Sequence, residues 1–287
     1  MTLRLRSGQA LRLRSGQALR LRSGQAALLA AVLGTATLAG QGRITNGQLE
    51  TRPLAQPLER EIAAATARGG ARWIGYRIRI AGGRRSMDCF DRGRVALEPA
   101  AELSILARFE GAALVRLRTA TPDCEIDAGG LPVTWLEGVK ADDSAAWLNS
   151  LVTATPSTGE RYDRIAKPAL VALALHDGTV ATRSLVGVAR EHAIPRMRSD
   201  ALFWLAQRAG DQATSTIVEA IDRDPDTEVK KKAVFALSQL PKDESVPKLI
   251  DVARNNRNAA VRKQAMFWLG QSNDPRAVKF FEDVLLK

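Results

Sequence analysis

The feature that most constrains the fold of this 287-residue chain is a repeat of fixed length near its end. Arg198-Ser-Asp-Ala201-Leu-Phe203-Trp-Leu205-Ala-Gln207 returns as Lys230-Lys-Lys-Ala233-Val-Phe235-Ala-Leu237-Ser-Gln239. It returns again as Arg262-Lys-Gln-Ala265-Met-Phe267-Trp-Leu269-Gly-Gln271, 32 residues on each time (233 − 201 and 265 − 233). A constant period of this size belongs to one supersecondary unit stacked on copies of itself.

Each unit holds two segments of helical period separated by breakers. In the first segment Met197, Ala201, Trp204 and Leu205 share a face, as do Val229, Ala233, Ala236 and Leu237, then Val261, Ala265, Trp268 and Leu269. Ala-Gly-Asp at 209–211, Pro241-Lys-Asp and Ser-Asn-Asp-Pro275 end these segments. The second segment carries Ile217, Ala220 and Ile221, then Leu249, Val252 and Ala253, then Phe281, Val284 and Leu285. One helix pair cannot bury both apolar faces alone, so stacking has to build the core.

The pattern apolar-basic-x-x-Ala-x-x-x-Leu-x-Gln, then a turn with Asp or Pro, then an apolar helix, resembles the short bacterial HEAT-like repeats. The resemblance covers roughly residues 160–287. One step back from Ala201 lies Ala169, with Leu173 under Leu205 and Leu185 under Ile217, so Arg164–Glu191 reads as a degenerate first repeat. Asp142–Val152 reads as an added capping helix. The family resemblance implies an α-solenoid over 142–287 that binds another protein, with no catalysis and no cofactor. It also implies acid–base columns between neighbouring units.

Two such columns are in register. Arg198, Lys230 and Arg262 form a basic one on the first helices. Glu219, Asp251 and Asp283 form an acidic one on the second helices, either a ladder between units or an inner strip that meets a basic partner. Phe203, Phe235 and Phe267 lie about 100° per residue away from the Ala201–Leu205 face. They are expected to wedge between successive helices as one ladder, the alternative being an exposed apolar stripe.

Residues 1–39 read as a leader. Leu-Arg-Leu-Arg-Ser-Gly-Gln-Ala recurs without change at 3–10, 11–18 and 19–26, and the uncharged run Ala26–Ala39 follows. Basic residues, a short apolar run and small residues at its end match a secretory signal, which predicts a periplasmic or secreted monomer. An uncleaved leader would anchor the chain to a membrane. The net charge of +11 owes six arginines to this segment; from Gly40 on, 36 basic residues face 31 acidic ones, or +5. That excess is mild for nucleic acid. The basic run Lys230-Lys-Lys232 with Arg254, Arg257, Arg262 and Lys263 keeps open the alternative of a cytoplasmic nucleic-acid-binding or base-repair HEAT-like protein.

Residues 40–69 read as a linker with a short helix from Leu58. From 70 to 138 the period turns to two: Tyr76, Ile78 and Ile80 alternate with Gly75, Arg77 and Arg79. Runs at Leu103–Phe109 and Ala113–Thr119 flank Glu110-Gly111, a hairpin signal. The expected fold class is therefore α+β, a small antiparallel sheet before an α-solenoid. Trp73 and Trp135 are expected in packing. Cys89 and Cys124 are expected to form a disulfide in an oxidising compartment. Two cysteines and two distant histidines, His176 and His192, have no metal-ligand spacing. Asp88, Asp91, Asp123, Glu125 and Asp127 read as solvated turn acids. No catalytic motif is present.

Overall fold

A computed structural model describes residues 44–80, 101–122, 124–154, 159–208 and 211–286. The leader and Cys89 lie outside the described residues. Gly40–Lys287 is one compact unit.

The sheet comes first. Strands β1 (Ile44–Thr45) and β2 (Gln48–Pro53) precede helix α1 (Leu58–Thr66). Then come β3 (Ala71–Arg79), β4 (Glu102–Glu110), β5 (Ala113–Ala120), β6 (Ile126–Asp127) and β7 (Pro132–Glu137). Five strands make one sheet in the order β2-β7-β3-β4-β5, and β1 pairs with β6 apart from it. The expected hairpin is present: β4 and β5 are antiparallel around Gly111, whose φ is 60°.

Two expectations need correction here. The sheet is mixed, not antiparallel, because β7 lies between β2 and β3 and runs parallel to both. The stretch expected to be a linker supplies β1 and β2. β2 is an exposed edge strand held by backbone pairing to β7, so its sequence Gln-Leu-Glu-Thr-Arg-Pro needs no apolar alternation. Parallel pairing joins distant segments and leaves no turn signal to read.

One face of the sheet carries Ile74, Tyr76, Ile78, Ile105, Ala107 and Leu136, all buried. These side chains belong to the same core as the helices, which extends from Leu58 to Phe280. The other face carries Trp73, Gly75 and Leu106. Gly75 stands opposite Trp135, where a Cβ would come within 2.7 Å of the indole ring. The segment that includes Cys124 and Ile126 covers part of this face in a smaller cluster with Trp73 and Val133. Cys124 is buried, its Sγ 3.1 Å from Thr121 Oγ1.

Helix α2 (Ala141–Ala154) opens the helical part, followed by a π-helical turn, Tyr162–Ala166, that runs into α3 (Lys167–Leu175). The remaining helices are α4 (Thr179–Glu191), α5 (Pro195–Arg208), α6 (Asp211–Arg223), α7 (Thr227–Ser238), α8 (Lys242–Asn255), α9 (Ala259–Gln271) and α10 (Pro275–Leu285). The 32-residue register reappears as burial. Ala169, Ala201, Ala233 and Ala265 are each fully buried, and Leu173, Leu205, Leu237 and Leu269 lie one turn on at the same depth. α3–α4, α5–α6, α7–α8 and α9–α10 are thus four successive copies of one pair, the first being the degenerate repeat. Alanine recurs at the first position because a larger side chain would overpack a closed site.

Local chemistry fixes where the helices begin. Asp226 caps α7 by accepting from the Glu228 and Val229 amides. Asn258 caps α9, and Asp274 caps α10 with Pro275 at its first turn.

Candidate partner-binding surface

The basic column works inside the array. Arg198 is buried and forms a two-pronged bridge to Asp224, Nε to Oδ2 at 2.7 Å and Nη2 to Oδ1 at 2.9 Å. Its Nη1 donates to the His192 carbonyl at 2.8 Å. Arg262 Nη1 donates to the Asn256 carbonyl at 2.8 Å, the same six-residue reach back, while Lys230 Nζ donates to the Asp222 carbonyl at 2.6 Å. Each side chain therefore satisfies a carbonyl at the end of the preceding second helix, where no intrahelical donor remains. The bridge to Asp224 raises the affinity of the Arg198 guanidinium for its proton.

The loops that receive this column repeat as well. The amides of Ile194, Asp226 and Asn258 donate to His192 Nδ1, Asp224 Oδ1 and Asn256 Oδ1, each two residues back. Residues 192, 224 and 256 are 32 apart. Neighbouring loops are then tied together by Asn258 Nδ2 to Thr227 Oγ1 at 3.0 Å and by Asn256 Nδ2 to Asp222 Oδ1 at 3.3 Å. Asp224-Pro-Asp226 and Asn256-Arg-Asn258 show this function once they are aligned at the period.

The acidic column does not meet the basic one. Glu219 on α6 pairs with Arg190 on α4 at 2.7 Å, and Asp283 on α10 with Arg254 on α8 at 3.6 Å. Both pairs span 29 residues (219 − 190 and 283 − 254) and join successive second helices. Asp251 breaks the series, because Asp222 stands where Arg190 and Arg254 stand in the other pairs. Asp251 Oδ1 accepts instead from Asn255 Nδ2 at 2.7 Å. Two members of the strip thus act as bridges between units.

Phe203 and Phe235 stack, their rings 6.2 Å apart and 6° from parallel. Phe235 then meets Trp268 at 4.9 Å, and Phe267 lies edge-on to that indole at 5.0 Å. The ladder continues through Trp268, and Phe267 is left 54% exposed.

Phe267 is not alone. Among the described residues six large apolar side chains are exposed; Phe267, Val278, Val284 and Leu285 belong to the last helix pair and Leu286 caps its end. One repeat earlier, the equivalents of Val278, Val284 and Leu285 are Val246, Val252 and Ala253, all buried. The first helix of the next unit makes the difference: α4 packs on α5, α6 on α7 and α8 on α9. The last pair therefore presents the surface on which this array stacks a further helix.

Among the described residues no group of three or more His, Cys, Asp or Glu side chains is placed to hold a metal ion. No described helix is long and apolar enough to cross a membrane.

Residues 182–265 match the family model for HEAT repeats. No curated protein matches the chain. The run of helix pairs that follows the sheet is a HEAT-like repeat array.

Proposed function

We propose that this protein is an exported, non-catalytic scaffold that binds another protein through the last helix pair of its array. HEAT repeats generally mediate protein–protein interaction. The observation that carries the reading is the patch of Phe267, Val278, Val284 and Leu285, exposed where its counterparts in the preceding pair are buried or stacked. The occupant is an amphipathic helix of a partner protein. Its chemistry follows from the helices that fill this place within the array. They carry Val, Ala and Leu at four-residue spacing, as at Val229, Ala233 and Leu237 or Val261, Ala265 and Leu269. The basic column argues against nucleic acid, since Arg198, Lys230 and Arg262 point at backbone carbonyls and Lys231 pairs with Glu228.

A synthetic peptide spanning 257–273, which includes α9, is the probe. Fluorescence anisotropy on the full chain is expected to show saturable binding that Val278→Lys and Leu285→Lys together abolish without lowering the melting temperature. Binding that survives both substitutions would refute the site. Light scattering that finds a stable dimer, broken by the same pair, would replace the foreign partner with a second copy. Export rests on the leader, and so does the proposed Cys89–Cys124 bridge. A mature protein that begins near Gly40 supports export, and one that still begins at Met1 and fractionates with the cytoplasm rather than with the membrane overturns it.

A further inference from the structure

We propose that the groove between α6 and α8 seats an arginine or lysine from a basic segment of a partner protein, which supplies the rung that the ladder of second helices lacks there. The backbones of α4 and α6, and of α8 and α10, approach closely, and an ion pair closes each contact, Arg190–Glu219 and Arg254–Asp283. The backbones of α6 and α8 approach less. A cavity of about 460 Å³ opens between them. A second, of about 590 Å³, shares Val218, Asp222 and Lys248 with it and carries the groove on to Ser215 and Glu219. That length suits a segment of several residues rather than a single ion.

The ladder positions in this groove are Asp222 and Asp251, again 29 residues apart (251 − 222). Both are carboxylates, so like charges stand where the flanking units have a pair. Each accepts from an uncharged amide: Asp222 Oδ1 from Asn256 Nδ2 at 3.3 Å, and Asp251 Oδ1 from Asn255 Nδ2 at 2.7 Å. Among the described residues no cation pairs with either carboxylate. Lys230 donates to the Asp222 backbone carbonyl instead, and Lys248 lines the groove wall. Val218, Pro247 and Val252 make the rest of that wall apolar. An arginine or lysine side chain fits this composition, its methylenes on the apolar wall and its charged head between the carboxylates. Arginine fits best, since its planar fork donates to two acceptors at once. In the flanking units an arginine of the array itself meets the acid; here the cation has to come from outside.

The probe is a fluorescein-labelled peptide, Gly-Ser-Arg-Ala-Arg-Ala-Arg-Ser-Gly, titrated by anisotropy into the full chain. Saturable binding of one peptide per chain is expected, weaker at high salt. The same peptide with norleucine for each arginine should not bind. Asp222→Asn and Asp251→Asn should each weaken binding about ten-fold, the loss of one charge-assisted hydrogen bond. Asp222→Arg fills the rung from within the chain and should abolish binding while the fold is kept. Lys248→Met removes a competing cation and should tighten binding a few-fold. Asp143→Asn, an exposed acid on α2, is the control for general charge attraction and should change nothing. Absence of saturable binding, an affinity unmoved by Asp222→Arg, or an equal loss with Asp143→Asn would each overturn the site. Spermidine that competes as strongly as the peptide would overturn a protein segment as the occupant. None of these outcomes bears on the helix-docking surface, whose residues lie on α9 and α10.

Discussion

His176 is the most consequential residue that sequence alone leaves unexplained. It is fully buried, with Nδ1 2.7 Å from the Ala172 carbonyl and Nε2 2.8 Å from Ser144 Oγ. A carbonyl can only accept, so Nδ1 carries the proton and Nε2 accepts from the Ser144 hydroxyl. That leaves Ser144 Oγ to accept from Tyr76 O–H at 2.8 Å. The relay works only with a neutral imidazole. Burial, aided by Arg208 and opposed by the Ala172 bond, lowers the His176 pKa from 6.5 to about 4. Burial also raises that of Tyr76. Because the unfolded chain takes up the proton first, the stability that His176 contributes is complete above pH 6.5. It is lost as the pH falls from 6.5 to about 4, a change of about 3 kcal/mol for a shift of this size. Melting curves of the native chain and of His176→Gln between pH 7.5 and 4 check this. The native midpoint should fall more steeply below pH 6.5, and parallel curves would remove the relay from the argument.

At the scale of the helix, the ladder of second helices is broken at one place that can be repaired. Asp222 and Asp251 line one groove between α6 and α8, together with Asn255 and Asn256, where the flanking units have Arg190–Glu219 and Arg254–Asp283. Asp222→Arg restores the pattern and is expected to stabilise by about 0.2–1 kcal/mol, a rise in melting temperature of roughly 1–3 °C at low salt. The gain should shrink at 1 M salt. The substitution also gives up the Asn256 Nδ2–Asp222 Oδ1 bond at 3.3 Å, so a lower midpoint, or one insensitive to salt, would show that the new pair does not make up for it. Much of this was legible in the sequence, because a period of 32 aligns Ala201 with Ala233 and Ala265 whatever the surroundings. What remained hidden was non-local. The partners of Glu219 and Asp283 come from the unit before, so a column of acids shows no sign of its bases until the helices are packed. β2 escaped notice for a similar reason, since an exposed edge strand carries no apolar alternation and its partner β7 lies about 80 residues away. Arg116 likewise alternates as any strand residue does, and only the pairing of β4 with β5 places it opposite Arg108.

For the whole molecule, the sheet and the array act as one folding unit. The core passes without interruption from Ile74 and Tyr76 through Trp147 and Leu148 into Leu170 and Leu173. Tyr76 and Trp147 meet edge to face at 6.1 Å, and Ile80 bridges to His176 through the backbone. A solenoid needs its first apolar face covered, and here the sheet and α2 cover it. One cooperative transition is therefore expected, although repeat arrays can lose cooperativity. The test separates two probes. With Trp147, Trp204 and Trp268 replaced by Phe, fluorescence reports Trp73 and Trp135 on the sheet, while far-ultraviolet dichroism reports chiefly the helices. Both should give the same midpoint. Ser144→Ala then removes the link of the relay at the junction and leaves His176 Nε2 and the Tyr76 hydroxyl without their partner, at a cost of about 1–3 kcal/mol. In a single unit both midpoints fall together. If the sheet melts first while the helices hold their original midpoint, the two parts fold independently, and the array must cover its first face by itself.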